Sequence, residues 1–319
     1  MLFKTDIEFQ DYSSLSVETF LAIKSIIPTV ESKHLIPLLG MEQYQELQTA
    51  FDGTDPLTDR IKKLLDLARR VVAPWVAVYY TPKTDVKVSE GGVRRAETEK
   101  LKTAFQYQLK NFVDANRNEA MDAAEALLQF LEANAADYPL WRDGNGNKEY
   151  RKLFIKTATE FNTLFATASP HSNFMILKTK MVDVEDIHIQ KTIGSTIFQT
   201  LKTKTTAPGG TLTDKETELL FAIKKAIAAM TVSAALPFIH VKMDEGLTAA
   251  GGSFGQNDAL SSRVPVSDNS FSYYLRSVND SARLWLDRIK KIIKDNPTDF
   301  PQPEAPPNNP ITYKSLFGL

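Results

Sequence analysis

Apolar positions follow helical spacing over most of the chain, and one stretch of that pattern occurs twice. Glu31 to Leu47 reads ESKHLIPLLGMEQYQEL, and Glu185 to Leu201 reads EDIHIQKTIGSTIFQTL, 154 residues on. Glu31, His34, Gly40, Gln45 and Leu47 recur as Glu185, His188, Gly194, Gln199 and Leu201. Between them Leu35, Leu39 and Tyr44 recur as Ile189, Ile193 and Phe198. The matched positions are mostly apolar residues and a glycine, which a fold keeps after duplication. Downstream, Leu57-Thr58-Asp59 returns as Leu212-Thr213-Asp214, Leu64-Leu65 as Leu219-Leu220, Arg69-Arg70 as Lys224-Lys225 and Ala73 as Ala228. Gly91-Gly92 returns as Gly251-Gly252, and Asn134, Asp137, Tyr138 and Pro139 return as Asn296, Asp299, Phe300 and Pro301. The offset only rises, to 162 in the last block, so the order is the same and the second copy carries small insertions. Four collinear blocks predict a mainly α chain of two tandem helical-bundle repeats, residues 1–142 and 150–301. A linker at 143–149 joins them, and an extended Pro-rich C-terminal arm, 302–319, follows.

Within one repeat the pattern predicts the elements in turn. Ser16-Val-Glu-Thr19 suits a helix cap ahead of Phe20 to Ile27, a run that also suits a strand; helix is the better reading. Leu35, Leu38 and Leu39 share a face, Gly40 ends that helix, and Tyr44 and Leu47 continue on a second. Thr58 or Asp59 caps the longest helix, whose Ile61, Leu64, Leu65, Ala68, Val71, Val72 and Trp75 recur at spacings of three and four. Pro74 is expected to kink or divide it. Thr84 to Ser89 alternates as a strand, Glu90-Gly91-Gly92 turns, and Val93-Arg94-Arg95 returns, giving a short hairpin arm. The second copy lacks a clear strand ahead of Gly251, and its arm, tipped by Gly251, Gly252 and Phe254, is longer and glycine-rich. Arg95 to Glu132 is helical nearly throughout. Five prolines between 301 and 319 favour extended chain, yet Ile311, Tyr313, Leu316, Phe317 and Leu319 turn apolar again, as in an arm that docks on a neighbour.

Composition narrows the function classes. A length of 319 residues fits two domains, and 43% hydrophobic residues suffice for a core in each. A formal charge of −1 argues against binding that rests on net positive charge, and basic runs such as Arg60-Ile-Lys62-Lys63 read as solvated helix faces. There is no cysteine, which excludes disulfides, thiolate zinc sites and a cysteine nucleophile. The first residues lack the apolar core of a secretory signal, and no uninterrupted apolar run reaches the ~18 residues of a membrane span. The expectation is a soluble intracellular or virion protein with no membrane contact.

Candidate chemistry is sparse. His34 and His188 occupy equivalent positions beside aliphatic residues, where a satisfied, partly buried histidine is expected; His171 and His240 lie outside any ligand spacing. Asp143-Gly-Asn-Gly-Asn147 imitates part of a calcium loop, but Leu153 stands where the bidentate glutamate belongs. Gly251-Gly-Ser-Phe-Gly255 lacks the lysine of a phosphate loop. The carboxylates read as spread along exposed helix faces, leaving no candidate acid–base pair. The expectation is a protein without catalytic residues, metal or cofactor.

Ile36-Pro37-Leu-Leu-Gly40 with Tyr44, the helix from Leu57 to Tyr80, and Val86-Lys-Val-Ser-Glu-Gly-Gly92 leading into the helix from Arg95 resemble bacteriophage head–tail connector (adaptor) proteins. The same style also resembles an uncharacterised helical family of bacteria and prophages. The first resemblance implies a homo-oligomeric ring in the virion, between the portal protein and the tail or a second adaptor, with DNA passing through its channel without sequence-specific binding. It further implies that Lys83, Val86, Lys87, Val88, Gly91, Gly92, Arg94 and Arg95 form a subunit-interface arm, Gly251, Gly252 and Phe254 a second, and Ile311, Tyr313, Leu316, Phe317 and Leu319 a C-terminal docking segment. Connector proteins usually carry one such unit, whereas this chain carries two. The alternative is a dimeric cytoplasmic helical scaffold without a virion role; a third is an enzyme whose site forms only between subunits.

Overall fold

Two runs of one helix order make up the computed structural model of this chain. It describes residues 1–13, 15, 20–84, 86–89, 92–95, 105–148, 150–167, 169–207, 210–242, 248–250, 263–265 and 268–301. The first run is α1 (Asp6–Gln10), α2 (Leu21–Lys24), α3 (Ile27–Val30), a π-helical turn at Glu31–Leu35, α4 (Ile36–Leu39), α5 (Met41–Asp52) and α6 (Asp59–Thr84). Strands β1 (Val86–Ser89) and β2 (Gly92–Arg95), then α7 (Gln106–Ala133) and α8 (Pro139–Arg142), complete it. The second run is α9 (Ala158–Leu164), α10 (Pro170–Asp183), a π-helical turn at Val184–Ile189, α11 (Gln190–Ile193), α12 (Ser195–Thr206) and α13 (Asp214–Lys242). It ends with β3 (Thr248–Ala250), β4 (Arg263–Pro265) and α14 (Asp268–Asp295). The protein is mainly helical, and the order of its elements repeats.

Local sequence explains the matching boundaries. Thr58 and Thr213 cap α6 and α13, their hydroxyls accepting the N–H groups of Ile61 and Glu216. Gly40 and Gly194 separate the paired short helices at φ 77°, ψ 156° and φ 80°, ψ 152°. Those values lie beyond the ordinary left-handed C-cap, in a region that only glycine enters freely. Asn134 and Asn296 close α7 and α14 identically, their side-chain amides donating to the carbonyls of Phe130 and Ile292.

The structure also extends the repeat register upstream of Glu31. Lys4-Thr5 and Glu8-Phe9 match Lys156-Thr157 and Glu160-Phe161. In each copy the threonine hydroxyl accepts the glutamate N–H, and the glutamate carboxylate accepts the lysine N–H. Each lysine then donates to a carbonyl at the end of the second short helix, Phe51 or Thr205.

Each copy has its own core. α6 packs on α7 and α13 on α14, the most extensive helix contacts in the chain. Leu64, Val71, Val72, Leu127 and Leu131 fill the first core with Leu2, Phe3 and Phe9; Leu219, Ile223, Ile227, Ile289 and Ile293 fill the second with Phe154, Ile155 and Phe161. α6 runs through Pro74 as one helix rather than dividing there. The run after Ser169, the counterpart of Phe20 to Ile27 and the residues ahead of it, is a full helix of 14 residues. Asp214–Leu236 of α13 is long and apolar enough by mean hydropathy to cross a membrane, although Lys224-Lys225 interrupts its apolar run, and 67% of that window is buried inside the fold, as in a core helix. β1 pairs antiparallel with β2, Val88 opposite Val93, and β3 with β4, so a short strand does precede Gly251. The Ser16–Thr19 cap, the Glu90-Gly91 turn, residues 96–104 and the arm 302–319 lie outside the described residues.

The φ of Gly40 makes a test. Alanine there would meet nothing closer than Glu42 Oε2 at 3.7 Å, so any cost comes from backbone conformation alone. Gly40→Ala and Gly194→Ala should each lose about 1–3 kcal/mol in urea denaturation.

Candidate functional site

The residues that organise each copy are acids that the sequence reading placed on exposed faces. Glu31 and Glu185 open the π-helical turns and are 1% exposed. A buried carboxylate must have its oxygens satisfied. Glu31 Oε1 accepts the N–H of Leu2 at 2.6 Å, and Oε2 accepts Tyr44 Oη at 2.9 Å. Glu185 Oε1 accepts the N–H of Phe154 at 2.7 Å, and its other oxygen takes Lys202 Nζ. The second donor therefore changes between copies. Tyr44 corresponds to Phe198, which has no hydroxyl, and Gln48 to Lys202, which supplies the lost donor from one turn further on. Burial raises the Glu185 carboxyl above the usual glutamate range, with the Lys202 ammonium opposing. Burial, then the charge of Glu31, also raises the Tyr44 phenol.

The histidines divide. His34 stacks on Trp75 with ring centroids 3.9 Å apart, and its Nε2 lies 3.1 Å from Tyr79 Oη; burial lowers its pKa to about 4. His188 is exposed, contrary to the expectation of partial burial. The positions of Trp75 and Tyr79 are Met230 and Ala234 in the second copy, so the rings that would cover it are missing.

His171 sits at the junction of the copies. Glu125 and Glu132 lie two turns apart on one face of α7. Glu125 accepts the N–H groups of His171 and Ser172 at 2.9 and 2.8 Å, and lies 2.8 Å from His171 Nδ1. Glu132 accepts the N–H groups of Ala158 and Thr159 at 2.8 and 3.0 Å. These are the unpaired amides at the starts of α10 and α9, so the first copy caps two helices of the second. Burial alone would raise the Glu125 carboxyl, but the N–H groups of His171 and Ser172 outweigh it and hold the pKa below the ordinary 4.5. A cavity of about 160 Å³ lies here, lined by Leu128, Glu132, Trp141, Tyr150, His171 and Met175. The calcium-like loop is spent on the same junction: the Gly146 carbonyl and Asn147 Oδ1 each accept Lys178 Nζ at 3.1 Å, and burial lowers that lysine to about 8. Among the described residues no group of three or more His, Asp or Glu is arranged to hold a metal ion.

A second surface feature belongs to the second copy alone. Phe221, Leu284, Trp285 and Ile292 line a groove of about 490 Å³ between α13 and α14, rimmed by the Glu218–Arg288 pair at 2.7 Å. Phe221 and Leu284 are 52% and 71% exposed. Asp66 and Asp122 stand in their places in the first copy.

The arm residues read from sequence fall at the far ends of the paired helices. Lys83 is exposed in the last turn of α6, Val86, Lys87 and Val88 form β1, and Gly92, Arg94 and Arg95 form β2, with Lys87 opposite Arg94. Gly91, Gly251, Gly252, Phe254, Ile311, Tyr313, Leu316, Phe317 and Leu319 lie outside the described residues.

A family of unknown function, DUF6712, matches residues 35–151 and 189–313, more than half of the chain. The chain belongs to that family. The two DUF6712 matches begin 154 residues apart and end 162 apart, the offsets of the internal repeat. The second match runs to residue 313, so residues 302–313 answer to α8 and the linker of the first copy. No curated protein matches the chain, and no solved structure does.

Two measurements test these carboxylates. Lys202→Gln leaves Glu185 short of a donor and should cost about 2–3 kcal/mol; adding Phe198→Tyr restores the donor set of the first copy and should recover most of it in urea denaturation. Glu125 has a lowered pKa, so the stability it contributes is complete above pH 4.5 and is lost as pH falls below that value. Glu125→Gln should lower stability near pH 7, where the carboxylate contributes fully, and the difference from the unsubstituted chain should shrink as pH falls below 4.5, flattening the profile in that acid window.

Proposed function

We propose that this chain is a structural virion protein, a head–tail connector (adaptor) that forms a homo-oligomeric ring between the portal and the tail, and not an enzyme. The observation that carries the reading is the contact between its two copies. It is head-to-tail: the α7 face of one copy meets the α9–α10 face of the next, and these are different surfaces. Heterologous contacts of this kind build rings when the rotation closes. A connector also needs rigid bodies with projecting arms. The helical pairs α6–α7 and α13–α14 supply the bodies, and the β1–β2 and β3–β4 hairpins at their ends are read as the arms. The buried acids Glu31, Glu185 and Glu125, with His171 Nδ1, make hydrogen bonds that hold the fold, which supports a structural role for them.

In this reading Lys83 to Arg95 contacts a neighbouring subunit, and Ile311 to Leu319 docks on the next layer, portal or tail. The rival is a cytoplasmic scaffold that pairs as a symmetric dimer, for which the groove at Phe221 and Leu284 offers an exposed apolar face. Negative-stain micrographs of the purified protein should show ring particles of fixed high order. A uniform small dimer in light scattering would replace the connector by the scaffold. Deleting residues 302–319 should leave the melting curve unchanged and abolish assembly with the partner layer; unchanged assembly would remove the tail from the mechanism.

A further inference from the structure

The internal junction is a template for what the exposed end of the first copy lacks. In the second copy, α7, α8 and the linker cover the start of α9 and one side of α10: Glu132 caps Ala158 and Thr159, Met175 lines the junction cavity, and Lys178 is 6% exposed beneath Tyr150 and the linker oxygens. The same positions of the first copy are Asp6, Ile7, Leu21 and Lys24. They are uncovered: Ile7 is 69% and Leu21 78% exposed, and Lys24 is exposed. Leu21 and Lys24 stand open where their counterparts Met175 and Lys178 are half-buried and buried, while Ile7 matches Thr159, which is itself exposed; large apolar side chains left open on such a face mark an interaction site.

The complement lies at the other end of the chain. Helix α14 repeats α7, and Lys294 takes the place of Glu132. Where Glu132 accepts the backbone N–H of the uncharged Ala158, Lys294 would meet the carboxylate of Asp6, so an acid becomes a base on one partner and a neutral residue becomes an acid on the other. Lys290 likewise replaces Leu128, and both lysines are exposed. Beyond α14, residues 302–313 answer to α8 and the linker. Tyr313-x-x-Leu316-Phe317 also repeats Tyr150-x-x-Leu153-Phe154, the segment that carries the chain into the second copy.

We propose that the Asp6–Ile7–Leu21–Lys24 face is the seat of a second molecule of this chain, which covers it with its α14 and residues 302–313 as α7 and the linker cover the second copy. The proposal rests on the ring reading and specifies its subunit contact: each chain contributes two consecutive positions, and one contact geometry is used within and between chains. Because the intermolecular version exchanges Leu128 for Lys290 and pairs Lys294 with Asp6, it is more polar than the internal one and is weakened by salt.

The absence of native cysteine allows a direct test. In the full chain, Ile7→Cys with Lys294→Cys places one thiol on each predicted face. Oxidation should give a ladder of trimers and higher species on a non-reducing gel, at least tenfold more than Ile7→Cys with Arg276→Cys. Lys294→Glu alone should lower the assembled fraction in light scattering, and adding Asp6→Lys should restore it. Ring particles in the micrographs without a ladder, or with an equal ladder from the Arg276 pair, would overturn this contact and leave the ring reading standing. A ladder absent from a protein that stays monomeric or dimeric at every concentration would overturn both. An intramolecular disulfide, which leaves the mass of one chain, would assign the covering segment to the same molecule and overturn the proposal.

Discussion

A carboxylate taken out of water at the root of each copy governs the rest of the architecture. Glu31 and Glu185 each bridge three pieces of chain distant in sequence: an extended segment ahead of the first helix, the π-helical turn, and the helix after the glycine. An uncompensated buried charge costs several kcal/mol, so those pieces must arrive together. The fixed geometry explains the glycine as well. The chain must reverse between α4 and α5, or α11 and α12, tightly enough for the next helix to return its donor to the acid, and φ near 80° achieves that. The apolar residues of Leu2-Phe3 and Phe154-Ile155 are thereby delivered to the core floor. Once that corner is set, the long helix pair has a surface to pack on.

The duplication was legible because the apolar spacing and the glycine survive where fold geometry requires them. Helix identity and the order of elements followed from the same pattern. The buried acids were not legible as buried, although Glu31 and Glu185 matched: an acid in a polar-looking run reads as solvated unless its donors are seen. Those donors are the N–H groups of Leu2 and Phe154, which carry no sequence signal, and a side chain that moves from Tyr44 to Lys202 between copies. The upstream register is present in Lys4-Thr5-x-x-Glu8-Phe9 and Lys156-Thr157-x-x-Glu160-Phe161, but its offset of 152 differs from the 154 of the block at Glu31, and the segment between carries few identities. Glu125 and Glu132 looked like ordinary helix-face acids because their role depends on a neighbouring copy. Spacing alone cannot say which exposed face a second body will cover.

The differences between copies carry as much physical content as the similarities. His34 is flanked by Trp75 and Tyr79, while His188, in the copy where Met230 and Ala234 replace those rings, is exposed. The outer groove runs the opposite way: the second copy opens Phe221 and Leu284 to solvent, where the first holds Asp66, bonded to Tyr12 and Arg70. Lys178 is sealed under the linker, and Lys24 is not. Two copies under identical demands would be expected to drift at random over their surfaces. Changes at the junction, at the outer groove and at the uncovered end of the first copy fall on faces that differ in neighbours, beside the internal exchanges around the buried acids and His34.

That distribution bears on why a tandem chain should exist at all. A single unit with one capping face and one receiving face can associate only by paying the entropy of bringing two molecules together. Joining two units by a linker of a few residues makes half of those contacts intramolecular, and the linker oxygens that bind Lys178 fix the angle between them. The internal contact can then bury an apolar residue such as Leu128 beside its capping acids, because it never needs to open. In the assembly proposed above, the face left for a neighbour keeps the exposed Lys290 and Lys294 instead. On this account the asymmetry of α7 and α14 is the physical record of which interface forms on folding and which forms on assembly.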